Sequence, residues 1–118
     1  MWTNPMCGSK NLQIPPQLFH TQDLAGFIDL GRRFDLVESI EVAEHLAARA
    51  AGGFVASLIR HADVVLFSAA PPAQGGENHI NEQPYEYWRV LFARHGYHIF
   101  DWLRPQIVRR AEVQFWYR

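Results

Sequence analysis

The sequence predicts an α/β fold in which helices flank a layered sheet. Strand-like apolar runs alternate with stretches of helical spacing, in the order strand, helix, strand, helix, strand, strand. Such alternation favours a sheet with right-handed crossovers. One run, 64–67, is almost purely apolar, which is typical of a parallel strand covered on both faces. The 118 residues suffice for one domain with its own core.

Composition and charge exclude several classes of protein. Hydrophobic residues make up 48% and charged residues 19%, which is a globular composition. The net charge of -1 argues against a nucleic-acid partner held by phosphate contacts, and the single cysteine, Cys7, excludes an intramolecular disulfide. No apolar run reaches the roughly 18 to 20 residues of a membrane span, and the start lacks a signal-peptide pattern. We therefore expect a cytoplasmic protein with no membrane partner.

The first part of the chain shows no sustained periodicity. Residues 1–17 contain three prolines and a glycine, so we expect a poorly structured leader, followed by a single domain over residues 18–118. Residues 23–33, with two glycines, are expected to form a connector.

The middle of the chain predicts a strand, a helix and a second strand. Phe34 begins a strand that runs to Ile40, and residues 41–51 have helical spacing. We expect Gly52–Gly53 to interrupt this helix, which resumes and ends near His61. The apolar strand at 64–67 follows.

A long loop, a helix and two strands are predicted for the rest. Residues 70–84 contain three prolines and a glycine pair, so they form a polar loop. Residues 85–94 are amphipathic, and Gly96 is well placed to cap that helix. Residues 97–103 and 112–117 are predicted to be the final two strands.

Polar side chains follow the ends of both apolar strands, where ligands bind in parallel α/β sheets. Glu41, Glu44 and His45 have spacing i, i+3, i+4, which places them on one face of a helix. This pattern suits a general base or a metal cluster, but it equally suits an acid-rich first turn that complements the helix dipole. Because no third ligand has a diagnostic spacing, no metal site is predicted.

The loop over residues 74–82 is the densest polar stretch of the chain. His79 can transfer a proton near neutral pH, and long loops often serve as substrate-facing lids. The alternative is a solvated loop whose Asn and Gly residues only form turns. The sequence has neither a glycine-rich phosphate motif nor a nucleophile elbow.

The run FDLVESIEVAEHL, at 34–46, resembles the fourth strand and the next helix of class I S-adenosylmethionine-dependent methyltransferases. ADVVLFSAAPPAQGGENHINEQPYEYWRVLFARHGY, at 62–97, is similar to the fifth strand, its loop and the following helix. VQFWYR resembles the last strand, and Asp23–Leu24 the acidic–apolar pair after the third. The resemblance covers roughly 15–118 and implies a truncated Rossmann-like methyltransferase sheet with flanking helices.

By this resemblance the cofactor is S-adenosylmethionine and the acceptor is a small molecule. The implied cofactor-binding residues are Asp23, Leu24, Ser39, Ile40 and Glu41. The implied catalytic residues, which face the acceptor, are His45 and His79. The implied acceptor-binding residues are Glu44 and Asn81.

The family's first strand, its glycine-rich turn and the acidic residue ending its second strand have no counterpart upstream of Asp23. Since the first strand lies beside the fourth in that family, strand 34–40 is expected to be an exposed apolar edge. We expect either a homodimer through this edge or an N-terminal segment that covers it. The functional alternatives are a methyltransferase-like domain, a non-catalytic dimerising interaction module, and a remnant that retains the fold.

Overall fold

This computed structural model describes residues 2–3 and 13–118. They include two small parallel sheets and three α-helices, joined by loops and short 3₁₀ turns. Strand β1 (Trp2–Thr3) pairs in parallel with β2 (His20–Thr21). Strand β3 (Val37–Ile40) pairs in parallel with β4 (Val65–Ser68). The α/β class is therefore confirmed at the level of a mixed domain with parallel strand pairs.

The central unit is β3, helix α1 (Ala51–His61) and β4. Val37 lies opposite Val65 and Ile40 opposite Ser68, so the two strands end side by side. The predicted strand 34–40 is reduced to its last four residues, and the second strand is shifted by one. All four residues of β4 are half-buried. Neither face of the strand is therefore fully covered, whereas the apolar run predicted cover on both faces.

The predicted helix over 41–51 and its break at Gly52–Gly53 are both wrong. Two short 3₁₀ turns, Ala43–His45 and Ala48–Ala50, occupy most of that stretch. Glu41 has a φ of 52°, and the backbone is extended again at Leu46, so no continuous helix can form there. Helix α1 instead begins at Ala51 and includes both glycines, whose low helix propensity is outweighed by the packing of the helix.

Helix α2 (Tyr85–Ala93) confirms the amphipathic prediction, and Gly96 ends it with a φ of 80°. The rings of Trp88 and Phe92 in α2 lie 5.3 and 5.2 Å from the ring of Phe67 in β4. The core lies between α1, α2 and the sheet. Its buried members are Leu24, Ala43, Leu46, Ala51, Phe54, Val55, Ala69, Trp88 and Phe92.

The two predicted C-terminal strands are wrong. Residues 97–103 have no regular structure, and helix α3 (Arg104–Ile107) and a 3₁₀ turn at Phe115–Tyr117 follow. From Trp102 onward several backbone N–H groups bond locally, as in the bond from the Val108 N–H to the Arg104 carbonyl. Pro105 lies in the first turn of α3, where its fixed φ and missing N–H favour a helix start.

Parts of the predicted leader have regular structure. Strand β1 falls within it, and a 3₁₀ turn begins at Pro16. Residues 1 and 4–12 lie outside the described residues, so the prediction of a poorly structured leader is not tested there. Among the helices of the described part, none has both the length and the apolar character needed to cross a bilayer.

Candidate functional site

Glu41 ties the ends of β3 and β4 together. Its N–H donates to the carbonyl of Ser68, and its Oε1 accepts the Ser68 hydroxyl at 2.8 Å. Its Oε2 accepts the side-chain amide of Gln74 at 2.9 Å. Glu41 is predicted to line a cofactor; in the structure one of its carboxylate oxygens bonds to the end of β4 and the other to the following loop.

The loop after β4 folds over the 3₁₀ turn after β3. The backbone N–H groups of Ile80 and Asn81 both donate to the Glu44 carbonyl at 3.0 Å. This contact brings the predicted catalytic residues together, since the rings of His45 and His79 meet edge to face at 4.9 Å. The sequence alone could not place these histidines side by side, because 33 residues separate them.

The carboxylate of Glu44 is fully buried beside the two imidazoles. Its side chain is 0% exposed, and within the described part of the chain neither oxygen has a hydrogen-bond partner. Its Oε1 lies 4.0 Å from Nε2 of His79. Burial raises the pKa of the Glu44 carboxyl above its ordinary value, and the negative charge of Glu41 raises it further. A buried carboxylate without a hydrogen-bond partner is normally protonated, paired with a cation or bonded to a donor group of a ligand.

Both imidazoles are oriented by a hydrogen bond at Nδ1. Nδ1 of His79 lies 3.0 Å from Oε1 of Glu82, and Nδ1 of His45 lies 3.2 Å from the Asn78 carbonyl. Since both partners accept hydrogen bonds, Nδ1 is the donor in each ring, and in the neutral form of the imidazole Nε2 carries the lone pair. The bond from His79 is also the main reason that the pKa of the Glu82 carboxyl is lowered.

Glu82 organises the loop and was not predicted as a site residue. Besides His79, it accepts the backbone N–H groups of Ala73 and Gly75, each at 2.8 Å. The available signal was its position three residues after His79. Asn81, predicted to bind the acceptor, is buried: its Oδ1 accepts the Gln83 amide, while its Nδ2 has no partner among the residues described.

An apolar groove of about 640 Å³ is lined by residues of β3, of α1 and of the segment before β3, and its lining includes no residue of β4. It collects three of the predicted cofactor residues, Leu24, Ser39 and Ile40. Asp23 does not line it: this residue is exposed, and its carboxylate accepts the Ala25 N–H at 2.9 Å. Of the five predicted cofactor residues, three therefore line the groove, and Asp23 and Glu41 do not.

The free edge of β3 is uncovered in the structure of residues 2–3 and 13–118, where β3 pairs only with β4. Of the predicted N-terminal cover, only β1 belongs to the described part before residue 13, and it pairs with β2. The far wall of the groove is fixed to α1, because Nε2 of His61 accepts the Leu30 N–H at 2.9 Å. Sequence reasoning missed His61 as a groove residue, and no motif marks it.

The side chains of Glu44, His45 and His79 each offer one donor atom, and these atoms lie within 4.8 Å of one another. This cluster can hold a proton, orient a polar ligand or bind a cation. No protein-family model, curated protein or solved structure matches the chain.

Proposed function

We propose that this chain is a methyltransferase-like domain that uses S-adenosylmethionine and holds a small-molecule acceptor beside His45 and His79. One observation carries the proposal: titratable side chains from the segments that follow two parallel strands meet, and one of these strands, β3, lines an apolar groove. Ligand sites of α/β sheets combine an apolar wall with a few convergent polar groups at this place.

The chemistry required of the chain is modest. The acceptor's lone pair forms a bond to the methyl carbon, and the electron pair of the breaking carbon–sulfur bond stays on sulfur. The acceptor's proton passes to a base, for which Nε2 of His79 has the free lone pair. The remaining contribution is to hold the two reactants in line.

The groove is the proposed cofactor side. Its wall contains Leu24, which the resemblance places beside the adenine, and Ile40, which it places beside the methionine part of the cofactor. The cofactor contacts that the family makes through its glycine-rich turn would instead come from backbone N–H groups of a second copy of the chain, which adds a strand to the free edge of β3. Each missing charge-assisted hydrogen bond costs about 1.5–3 kcal/mol, so an isolated copy binds the cofactor weakly.

Isothermal titration of the purified chain with S-adenosylmethionine and S-adenosylhomocysteine tests this proposal, with the oligomeric state measured in the same buffer. We expect micromolar binding by a dimer. Ile40→Lys, which places a charge in the groove, should abolish it. Val90→Lys, on α2 and outside the groove lining, is the control and should bind as the parent does. A folded protein that binds neither compound at millimolar concentration would refute the proposal.

A non-catalytic dimerising module is the second candidate. The side chains of Phe34 and Leu36 are 37% and 44% exposed beside the free edge of β3, which favours pairing with another chain. A stable dimer with no affinity for either cofactor form would support this candidate over methyl transfer.

A further inference from the structure

The cluster of Glu44, His45 and His79 has a property that methyl transfer does not require. Its carboxylate is fully buried, and no N–H or O–H group of the described residues donates to it. A buried charge without a partner is strongly unfavourable. Because one donor atom from each imidazole lies within 4.8 Å of a Glu44 carboxylate oxygen, a shared positive ion would satisfy the carboxylate and both rings together.

The two imidazoles are arranged as metal-binding histidines commonly are. Each uses Nδ1 to donate to a fixed oxygen acceptor, Glu82 for His79 and the Asn78 carbonyl for His45. Such outer partners set the tautomer and aim the other nitrogen at the ion. Glu82 is itself held by two backbone N–H groups, so the orienting carboxylate is rigidly placed.

We propose that Glu44, His45 and His79 bind a divalent transition-metal ion. Two imidazole nitrogens and one carboxylate oxygen suit Zn²⁺ and its first-row neighbours, whereas Mg²⁺ and Ca²⁺ prefer sets made only of oxygen. Three protein ligands leave at least one coordination position for water or an acceptor oxygen.

Binding would draw the loop onto the 3₁₀ turn. The donor atoms now lie up to 4.8 Å apart, whereas ligands about 2.1 Å from a tetrahedral ion are roughly 3.4 Å apart. His79 belongs to the loop after β4, while Glu44 and His45 belong to the turn after β3. The ion would therefore cross-link the two strand ends and stabilise the folded chain.

This inference goes beyond the proposed function, because cation binding needs neither S-adenosylmethionine nor an acceptor. Zn²⁺ binding without cofactor binding would refute methyl transfer and leave the metal site standing. Cofactor binding without Zn²⁺ binding would refute the metal site and leave methyl transfer standing. Every measurement of the metal is therefore made on the full chain with no cofactor present.

The experiment is isothermal titration of the chelator-treated chain with ZnCl₂ and, separately, with MgCl₂, accompanied by thermal unfolding. We expect one Zn²⁺ per chain, an increase in melting temperature, and no Mg²⁺ binding. Glu44→Gln and His79→Gln should each weaken Zn²⁺ binding by at least about tenfold. His95→Gln, an exposed histidine beyond α2, is the control and should leave the affinity unchanged.

Two outcomes would overturn the metal site. The first is no Zn²⁺ binding by the folded parent chain. The second is binding of equal strength in the parent and both ligand variants, which would place the ion on surface histidines. Glu44→Gln keeps the size of the side chain and removes only its charge, so its folding can be verified by circular dichroism.

Discussion

A Cβ placed on Gly76 would lie 2.4 Å from Nε2 of His79. The loop backbone therefore runs directly against the imidazole, and it can do so only because residue 76 has no side chain. Nε2 is also the nitrogen left free by the hydrogen bond between Nδ1 and Glu82. This close approach thus fixes the atom on which the proposed proton transfer and the proposed cation binding both depend.

Gly76→Ala is expected to displace the His79 ring, whose Nε2 lies 4.0 Å from Oε1 of Glu44, and to weaken Zn²⁺ binding by about tenfold or more. The clash is with a side chain of a surface loop, so cooperative unfolding in urea should be retained. Titration calorimetry and urea denaturation measure the two effects.

Gly52→Ala is the matched control for this substitution. Gly52 is exposed near the start of α1, and an added Cβ there meets nothing within 4 Å. Its Zn²⁺ affinity should equal that of the parent, and its stability should rise by up to about 1 kcal/mol. Parent-like affinity in Gly76→Ala would show that the glycine does not position His79.

Glu44 is expected to make the metal-free protein less stable as pH rises. Burial raises its pKa in the folded state above the ordinary 4.5, so between these two values the folded state binds more protons than the unfolded state. Stability is therefore lost as pH rises from 4.5 through the folded-state pKa. Glu44→Gln cannot ionise, so with chelator present it should be more stable than the parent at pH 7.

The higher stability of Glu44→Gln relative to the parent should disappear below pH 4.5. At pH 7 with Zn²⁺ added, the parent should become the more stable protein. Urea unfolding at several pH values, with and without Zn²⁺, measures both changes. Glu77→Gln removes an exposed carboxylate from the same loop and should keep the pH profile of the parent. A parent-like profile in Glu44→Gln would mean that the buried carboxylate does not govern stability in this range.

Local patterns predicted the β3–α1–β4 order and helix α2, because apolar periodicity and a glycine cap act within a few residues. They failed at residues 41–51, where the left-handed backbone of Glu41 is held by Ser68, a partner 27 residues away. They failed again at 112–117, since alternating apolar residues form a strand only where a neighbouring strand can pair with them.

For the candidate site, the residue types were predictable but their meeting was not. His45 and His79 were both singled out from their local setting. Their contact depends on the backbone bonds from Ile80 and Asn81 to the Glu44 carbonyl. Glu82 was not predicted as a site residue, because its three hydrogen-bond partners lie within its own loop and their spacing matches no recognisable motif.

Asp29→Asn should lower the stability at neutral pH. Arg60 donates to the Asp29 carboxylate and, together with the Gly31 N–H, lowers its pKa to about 2. Because the folded-state pKa lies below the ordinary 3.8, this stabilisation is present above pH 3.8 and is lost as pH falls towards 2.

Urea unfolding of the parent and Asp29→Asn at pH 7 and pH 2 tests this pair. At pH 7 the free energy of unfolding of Asp29→Asn should be lower than that of the parent, by a small amount because the pair is exposed. Screening in 1 M NaCl should reduce this difference. A difference of the same size at pH 2 would show that the effect does not come from the carboxylate charge.

Leu36→Lys is expected to convert a dimer into a monomer. Leu36 lies immediately before β3, lines the apolar groove and is 44% exposed. Pairing of a second copy along the free edge would bury this side chain, and a charge at a strand edge opposes such pairing. The chain should still fold, because Leu36 lies outside the buried core.

Sedimentation velocity at micromolar concentration measures the change. Val90→Lys, on α2 and outside the groove lining, should remain dimeric. If Leu36→Lys stays dimeric while circular dichroism shows an intact fold, the copies associate through another surface. A parent chain that is monomeric at the same concentration would mean that the edge of β3 stays open, and that no second copy completes the cofactor side.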